Sequence, residues 1–153
     1  MLEKKETLEE KLKRIKAADI MSRYAITASE DATIENIAHL MMRFKISGIP
    51  VINRDKKVVG IITATDLFKL MGKMTTDIER GVSLNYSQLS ADTLMTKEVM
   101  LITSETSLFE IIKIMTEKNI HTLPVVVIDK QEIVGVIGRR DVINACYVTS
   151  SSK

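Results

Sequence analysis

The sequence predicts an α+β protein of two small β-α-β-β-α domains packed about a pseudo-twofold axis, preceded by a short N-terminal helix. Three observations predict it. The chain repeats itself once, each repeat runs through helical and strand periodicities in the same order, and its apolar residues are aliphatic. Of the 153 residues, 45% are hydrophobic but only 4% aromatic, with Met 9 and Trp 0. A core of Ile, Val, Leu and Met follows. The length suits about one ordinary domain or two small ones sharing an interface.

The repeat appears when the stretch from Glu35 to Asp66 is set above that from Phe109 to Asp141. Met41 falls on Met115, Ile46 on Ile120, Pro50 on Pro124 and Asp55 on Asp129. One extra residue then enters, and Gly60 falls on Gly135, Ile62 on Ile137 and Asp66 on Asp141. Upstream, Asp19 to Ser22 ("DIMS") matches Thr93 to Thr96 ("TLMT"). A unit of about 55 residues is too long for a solenoid turn and suits a duplicated small domain. Chains that short bury little surface alone, which two copies packing together would remedy.

Each copy opens with a short extended piece, Tyr24 to Thr27 and Val99 to Thr103. A helix follows, with Ile34, Ile37, Leu40, Met41 and Phe44 on one face, and Leu108, Ile111, Ile112 and Met115 in the second copy. Ser107 with Glu110 has the capping-box pattern, and Thr33 holds the matching cap position. Two apolar strands come next: Pro50 to Ile52 and Val58 to Ile62, then Pro124 to Ile128 and Ile133 to Ile137. Asn53 to Lys56 and Asp129 to Gln131 turn between them. A second helix begins near Thr65 in one copy and Arg140 in the other. The boundaries are residues 17–72 and 91–148 for the domains and 73–90 for a linker, in which "TTDIER" suits a helix and "GVSLNYSQLS" an irregular segment.

Residues 1–16 form an amphipathic helix, with Leu8, Leu12 and Ile15 on one face and a Thr7–Glu10 capping box. It suits docking on the module or on a second subunit. Residues 149–153 read as a flexible tail. The N-terminus lacks an apolar signal core, and no run is long enough to span a membrane. A cytoplasmic protein is expected.

Composition excludes several function classes. A net charge of +2 is too small to mark a nucleic-acid binder. A single cysteine, Cys146, allows no disulfide framework, and its helical neighbours suit a buried, inert thiol. The two histidines, His39 and His121, lie far apart, with His39 at the outer edge of a helical stripe. No GxSxG, HExxH, Walker A or GxGxxG pattern occurs. No catalytic residues and no metal site are expected.

What remains occurs twice: an apolar strand, Gly, two apolar residues, a variable trio and Asp. It reads "GIITATD" from Gly60 to Asp66 and "GVIGRRD" from Gly135 to Asp141. A helix N-terminus offers a phosphate unpaired N–H groups and a favourable dipole. A carboxylate suits a ribose diol, and a glycine would let backbone approach a ligand. Thr63 as a helix cap and Asp66 in the first turn explain the same residues without a ligand. Both readings stand on the heptapeptide alone.

The double unit resembles a tandem pair of cystathionine-β-synthase (CBS) domains, a Bateman module, over about residues 17 to 147. "DIM", "ISGIPVIN" and "GIITATDL" carry the resemblance in the first copy, and "LMT", "IHTLPVVV" and "GVIGRRDV" in the second. It implies two clefts between the copies, assembly of modules into disc-like dimers, and binding of adenosine-containing ligands. It assigns Asp66 to the ribose and Thr63 and Thr65 to the phosphate. Ile46, Ser47, Ile120 and His121 would flank the base, and Thr96 and Met100 would close that first cleft. The second cleft would use Arg139, Arg140 and Asp141 with Thr122 and Ser22. There the motif departs from the family: Gly138 replaces the hydroxyl, and Arg140 stands in the slot of Thr65. That cleft either takes a more highly charged phosphate chain or stays empty. His121 reads equally as a phosphate contact or a polar strand-end residue.

The expected function is a non-catalytic regulatory module. It would bind an adenine nucleotide, AMP in the simplest case and ADP or ATP otherwise, and signal to a separate effector protein as a homodimer. S-adenosylmethionine and NAD fit the same logic. The competing expectation is a ligand-free dimeric scaffold. A nucleic-acid binder using Arg139, Arg140 and the N-terminal helix is the weakest reading, since it predicts steep salt dependence from a chain of modest charge.

Overall fold

Thr7 starts the first helix with a reciprocal cap. Its hydroxyl accepts from Glu10 N–H at 3.0 Å, and Glu10 accepts from Thr7 N–H at 2.8 Å. The computed structural model describes residues 4–148; the expected tail at 149–153 lies outside them. In chain order the elements are α1 (Leu8–Arg14), α2 (Ala17–Ile20), β1 (Ala28–Ser29), α3 (Ile34–Phe44), β2 (Gly48–Ile52), β3 (Val58–Thr63) and α4 (Ala64–Glu79). A 3-10 turn (Tyr86–Gln88), α5 (Ala91–Leu94), α6 (Leu108–Glu117), β4 (Thr122–Val126), β5 (Ile133–Gly138) and α7 (Arg139–Tyr147) complete them. Each copy has the expected helix, hairpin and second helix.

The chain forms two compact units, each with its own core. One is Ile26–Val99, and the other joins the N-terminal residues up to Ala25 to those from Met100 onward. In the 26–99 unit, Ile37, Met41, Ile49, Val51 and Ile62 are buried between α3 and a three-stranded sheet of order β1-β2-β3. β1 runs parallel to β2, and β2 antiparallel to β3. The other unit buries Ile111, Leu123, Val125 and Ile137 around the antiparallel β4-β5 hairpin. Both hairpins carry a bulge at the same place, with Val59 of β3 opposite the Val51–Ile52 step and Val134 of β5 opposite the Val125–Val126 step. One extra residue there bends the strand and raises its twist.

The compact units are offset from the sequence repeat. "TLMT" leads the second copy, yet its Thr96 pairs with Ile61 of β3, both N–H···O bonds at 2.9 Å. "DIMS" leads the first copy, yet its Ser22 pairs with Val136 of β5 at 2.9 and 3.0 Å. The same segments hold the helix starts. Ile34 N–H donates to Leu89 O at 2.9 Å, and Leu108 N–H to Ile15 O at 2.8 Å. Each hairpin thus gains a further short edge from the segment that precedes the other copy.

Several local expectations need correction. None of the extended piece expected at 24–27 is strand, and β1 lies just beyond it; the piece expected at 99–103 is reduced to a single parallel bridge, Ile102 with Val125. Phe44 ends α3 at 44% exposure and leaves the buried face. Ser107 accepts from Glu110 N–H at 3.1 Å, which is the forward half of the box. "GVSLNYSQLS" is not wholly irregular: Tyr86 is buried in the core and donates its hydroxyl to Asp77 of α4. Cys146 is half-buried rather than fully enclosed.

Candidate functional site

In the 26–99 unit, β3 passes directly into α4 at Thr63. The backbone is extended at Thr63 (φ -118, ψ 167) and helical from Ala64. The cap works in the opposite direction from the sequence expectation. Asp66 reaches back, and its Oδ2 accepts from Thr63 N–H at 2.8 Å and from the Thr63 hydroxyl at 3.1 Å. Thr63 is a donor here, and both bonds fall on one carboxylate oxygen. Ala64 N–H donates to Ser47 O at 2.8 Å, so the Ile46–Ser47 loop is fixed against the first turn of α4. Ile46 packs on the core, while Ser47 and Thr65 are exposed. Thr96, paired with Ile61, lies two residues along the strand from Thr63. The fold therefore gathers Ser47, Thr63, Thr65 and Asp66 around one helix start, with Thr96 on the neighbouring edge.

The other unit repeats the arrangement with different chemistry. β5 passes into α7 at Gly138, and Asp141 Oδ2 accepts from Gly138 N–H at 2.8 Å. No hydroxyl shares that oxygen, because Gly138 has none. Thr122, the buried first residue of β4, is the register partner of Gly138. Arg139 and Arg140 are exposed in the first turn, and Ser22 pairs beside them on β5. His121 Nε2 lies 3.3 Å from Asn119 Oδ1. Met100 and Ile120 pack against this unit's core. Of the residues expected around the first cleft, Met100, Ile120 and His121 thus belong to this unit, and the other six to the 26–99 unit.

The glycine of each motif has a different job from the expected one. A Cβ on Gly60 would lie 2.4 Å from Met95 Sδ, and one on Gly135 2.6 Å from Met21 Sδ. The missing side chain makes room for a methionine of the leading segment, not for a ligand. The signal was in the sequence, since Met21 and Met95 occupy the same position of "DIM" and "TLM". Among the described residues, no group of three or more His, Cys, Asp or Glu is placed to hold a metal ion. No helix of the described residues is long and apolar enough to cross a membrane.

The sequence pattern of the CBS domain matches twice, over residues 17–73 and 91–147. The chain belongs to the CBS-domain family. The chain is 36% identical over 115 residues to homoserine O-acetyltransferase of Methanosphaera stadtmanae, covering 75% of this chain and 21% of that protein. The chain spans between 11% and 24% of the length of the first curated relatives it matches. Solved CBS pairs share the fold. The CBS domain pair of protein MJ0100 in complex with 5′-methylthioadenosine and S-adenosyl-L-methionine superposes with a TM-score of 0.72 at 23% identity, covering 90% of this chain and 98% of that one. CBSX2 in complex with AMP superposes with a TM-score of 0.71 at 22% identity, covering 86% and 95%.

Proposed function

We propose that this CBS pair is a non-catalytic regulatory module that binds an adenosine-containing ligand, AMP in the simplest case, at the Thr63–Asp66 motif. The observation that carries this reading is the comparison between the two motifs. Asp141 caps α7 with no hydroxyl at Gly138, at the same 2.8 Å as Asp66 caps α4. Capping therefore accounts for the aspartates, and for the Thr63 hydroxyl that donates to Asp66, but not for the exposed Thr65 and Ser47 beside them. Those two hydroxyls border a helix N-terminus, where N–H groups and dipole favour a phosphate. Asp66 Oδ1 receives neither cap bond and is the acceptor for a ribose hydroxyl. The related AMP and S-adenosylmethionine complexes support the ligand class.

The second motif is the more cationic one. Arg139 and Arg140 suit a ligand with a longer phosphate chain, ADP or ATP, through charge-assisted bonds. Binding would bias the module between conformations, and an effector protein would read the bias.

A thermal-shift panel with AMP, ADP, ATP, S-adenosylmethionine and NADH tests this. A ligand at about 100 times its dissociation constant adds about 2.7 kcal/mol, a rise of several degrees for a chain this size. Asp66→Ala should lose the AMP shift. The lost cap costs about 0.5–2 kcal/mol, so circular dichroism should still show a folded chain. An Asp66→Ala protein that binds AMP like the parent sinks the assignment. A second reading, a ligand-free scaffold, is favoured by the structural work both aspartates already do, and silence across the whole panel would sustain it.

A further inference from the structure

We propose that the groove between α3 and α4 of the 26–99 unit holds a soft monovalent metal ion, Cu(I), through His39, Met42, Met71 and Met74. The donors come as two pairs, His39 with Met42 on α3 and Met71 with Met74 on α4. Residues three apart on a helix are neighbours on one face. All four line a groove of about 370 Å³ between the two helices. The Thr63–Asp66 motif contributes none of that lining. Met42 stands 76% and Met71 50% exposed, and His39 is exposed as well. Among the described residues no side chain hydrogen-bonds the His39 imidazole.

The pairs face each other because the two helices run antiparallel. Gln88 Nε2 donates to Glu35 Oε2 at 3.4 Å, and Tyr86 donates its hydroxyl to Asp77. The 3-10 turn thereby ties the start of α3 to the end of α4. His39, at the middle of α3, then lies opposite Met71, at the middle of α4. Met42 and Met74 flank that pair, and an unbranched methionine has three rotatable bonds with which to bring its sulfur in. Glu35 lines the same groove one turn before His39. Its Oε1, which Gln88 leaves open, suits the second imidazole N–H, the outer hydrogen bond that metal-bound histidines make.

The donor set selects the ion. Neutral thioethers are soft ligands that suit Cu(I), with imidazole beside them, whereas Mg²⁺ and Ca²⁺ call for oxygen ligands. Zn²⁺ sites are built from thiolate, imidazole and carboxylate, of which the groove offers only His39 and Glu35. A plain apolar face is served as well by leucine, which helices accept as readily as methionine. Three methionines around one histidine are instead a coordinating set. The second copy of the repeat lacks it: Lys113 stands in the place of His39, Thr116 of Met42 and Cys146 of Met71.

Cys146 is a free thiol and a competing soft ligand, so the test uses the full chain carrying Cys146→Ala. Calorimetric titration with Ag(I), a redox-inert substitute, and with Cu(I) kept in solution by acetonitrile without oxygen, should each give one ion per chain. In methyl NMR spectra of methionine-labelled protein, Ag(I) should move the Met42, Met71 and Met74 signals and leave those of Met21, Met95 and Met100 in place. His39→Ala and Met71→Leu should each weaken binding at least about tenfold. Their circular dichroism spectra should not change, since leucine keeps the methionine volume and His39 is in solvent. A chain that takes up neither ion overturns the proposal. Binding that survives His39→Ala combined with Met71→Leu does so too, as does a response confined to Met21, Met95 and Met100. Equally tight uptake of Zn²⁺ overturns the assignment to thioethers.

Discussion

Gly60 and Gly135 are the positions where the ligand reading of the sequence went furthest from the fold. A glycine ahead of a helix start suggests close approach of a phosphate, and the sequence alone offers no reason to prefer a methionine from a distant segment. The distances give that reason: 2.4 Å and 2.6 Å from an added Cβ to Met95 and Met21 sulfur. Overpacking of this kind costs about 1–3 kcal/mol. Gly60→Ala should therefore lower the denaturation midpoint, and much of the loss should vanish in a Met95→Ala background. Full additivity of the two substitutions in urea melts would show that the pair does not meet. Gly135→Ala should cost more, since its Cβ also lies 3.0 Å from Ser22 O, a backbone atom that cannot rotate away. Asp66 was legible in part. Its place in the first turn could be read from spacing, but the direction of its cap could not, because Thr-x-x-Asp permits either partner to accept.

At the scale of elements, the helices and hairpins were legible because each carries its own period and its own punctuation. Thr33 and Ser107 cap α3 and α6 where the pattern puts them, accepting from Asn36 and Glu110 N–H at 3.1 Å each. The leading segments were not legible, because two backbone bonds to a remote strand leave no periodic trace. Helix α1 shows how a weak element is held. No residue of it is buried, and Arg14 grips Glu6 through two bonds at 2.5 and 2.9 Å while Lys13 pairs with Glu9 at 2.7 Å. Hydrogen bonds from Arg14 and Lys13 hold the Glu6 and Glu9 carboxyls below their ordinary range. A carboxylate with a lowered folded value stabilises above its unfolded value and ceases to do so as pH falls through the folded one. Amide protection in α1 should therefore be constant near neutrality and fall as pH drops below about 4. The exposed pairs are screened by salt, so high salt should weaken the same amides. Protection that persists through both changes would assign α1 to its apolar contacts alone.

For the whole chain, the offset between repeat and compact unit decides which fragments can fold. Residues 17–73 are the first CBS copy as the sequence defines it. That fragment keeps β3 but loses Thr96, which satisfies Ile61 N–H and C=O. It also loses Tyr86 and Ala91, both buried in the same core, and Met95 packed against it. It retains "DIMS", whose partner Val136 lies elsewhere in the chain. Residues 26–99 instead keep every one of those core residues and the full β1-β2-β3 sheet. A fragment of that size is marginal, since short chains bury a smaller share of their surface. The 26–99 fragment should still melt cooperatively with dispersed amide resonances, and the 17–73 fragment should give a collapsed spectrum with no transition. A cooperative 17–73 fragment beside an unfolded 26–99 fragment would mean that the sequence repeat, not the compact unit, is the folding unit, and that the pairing of each hairpin with a leading segment forms only after both copies have folded.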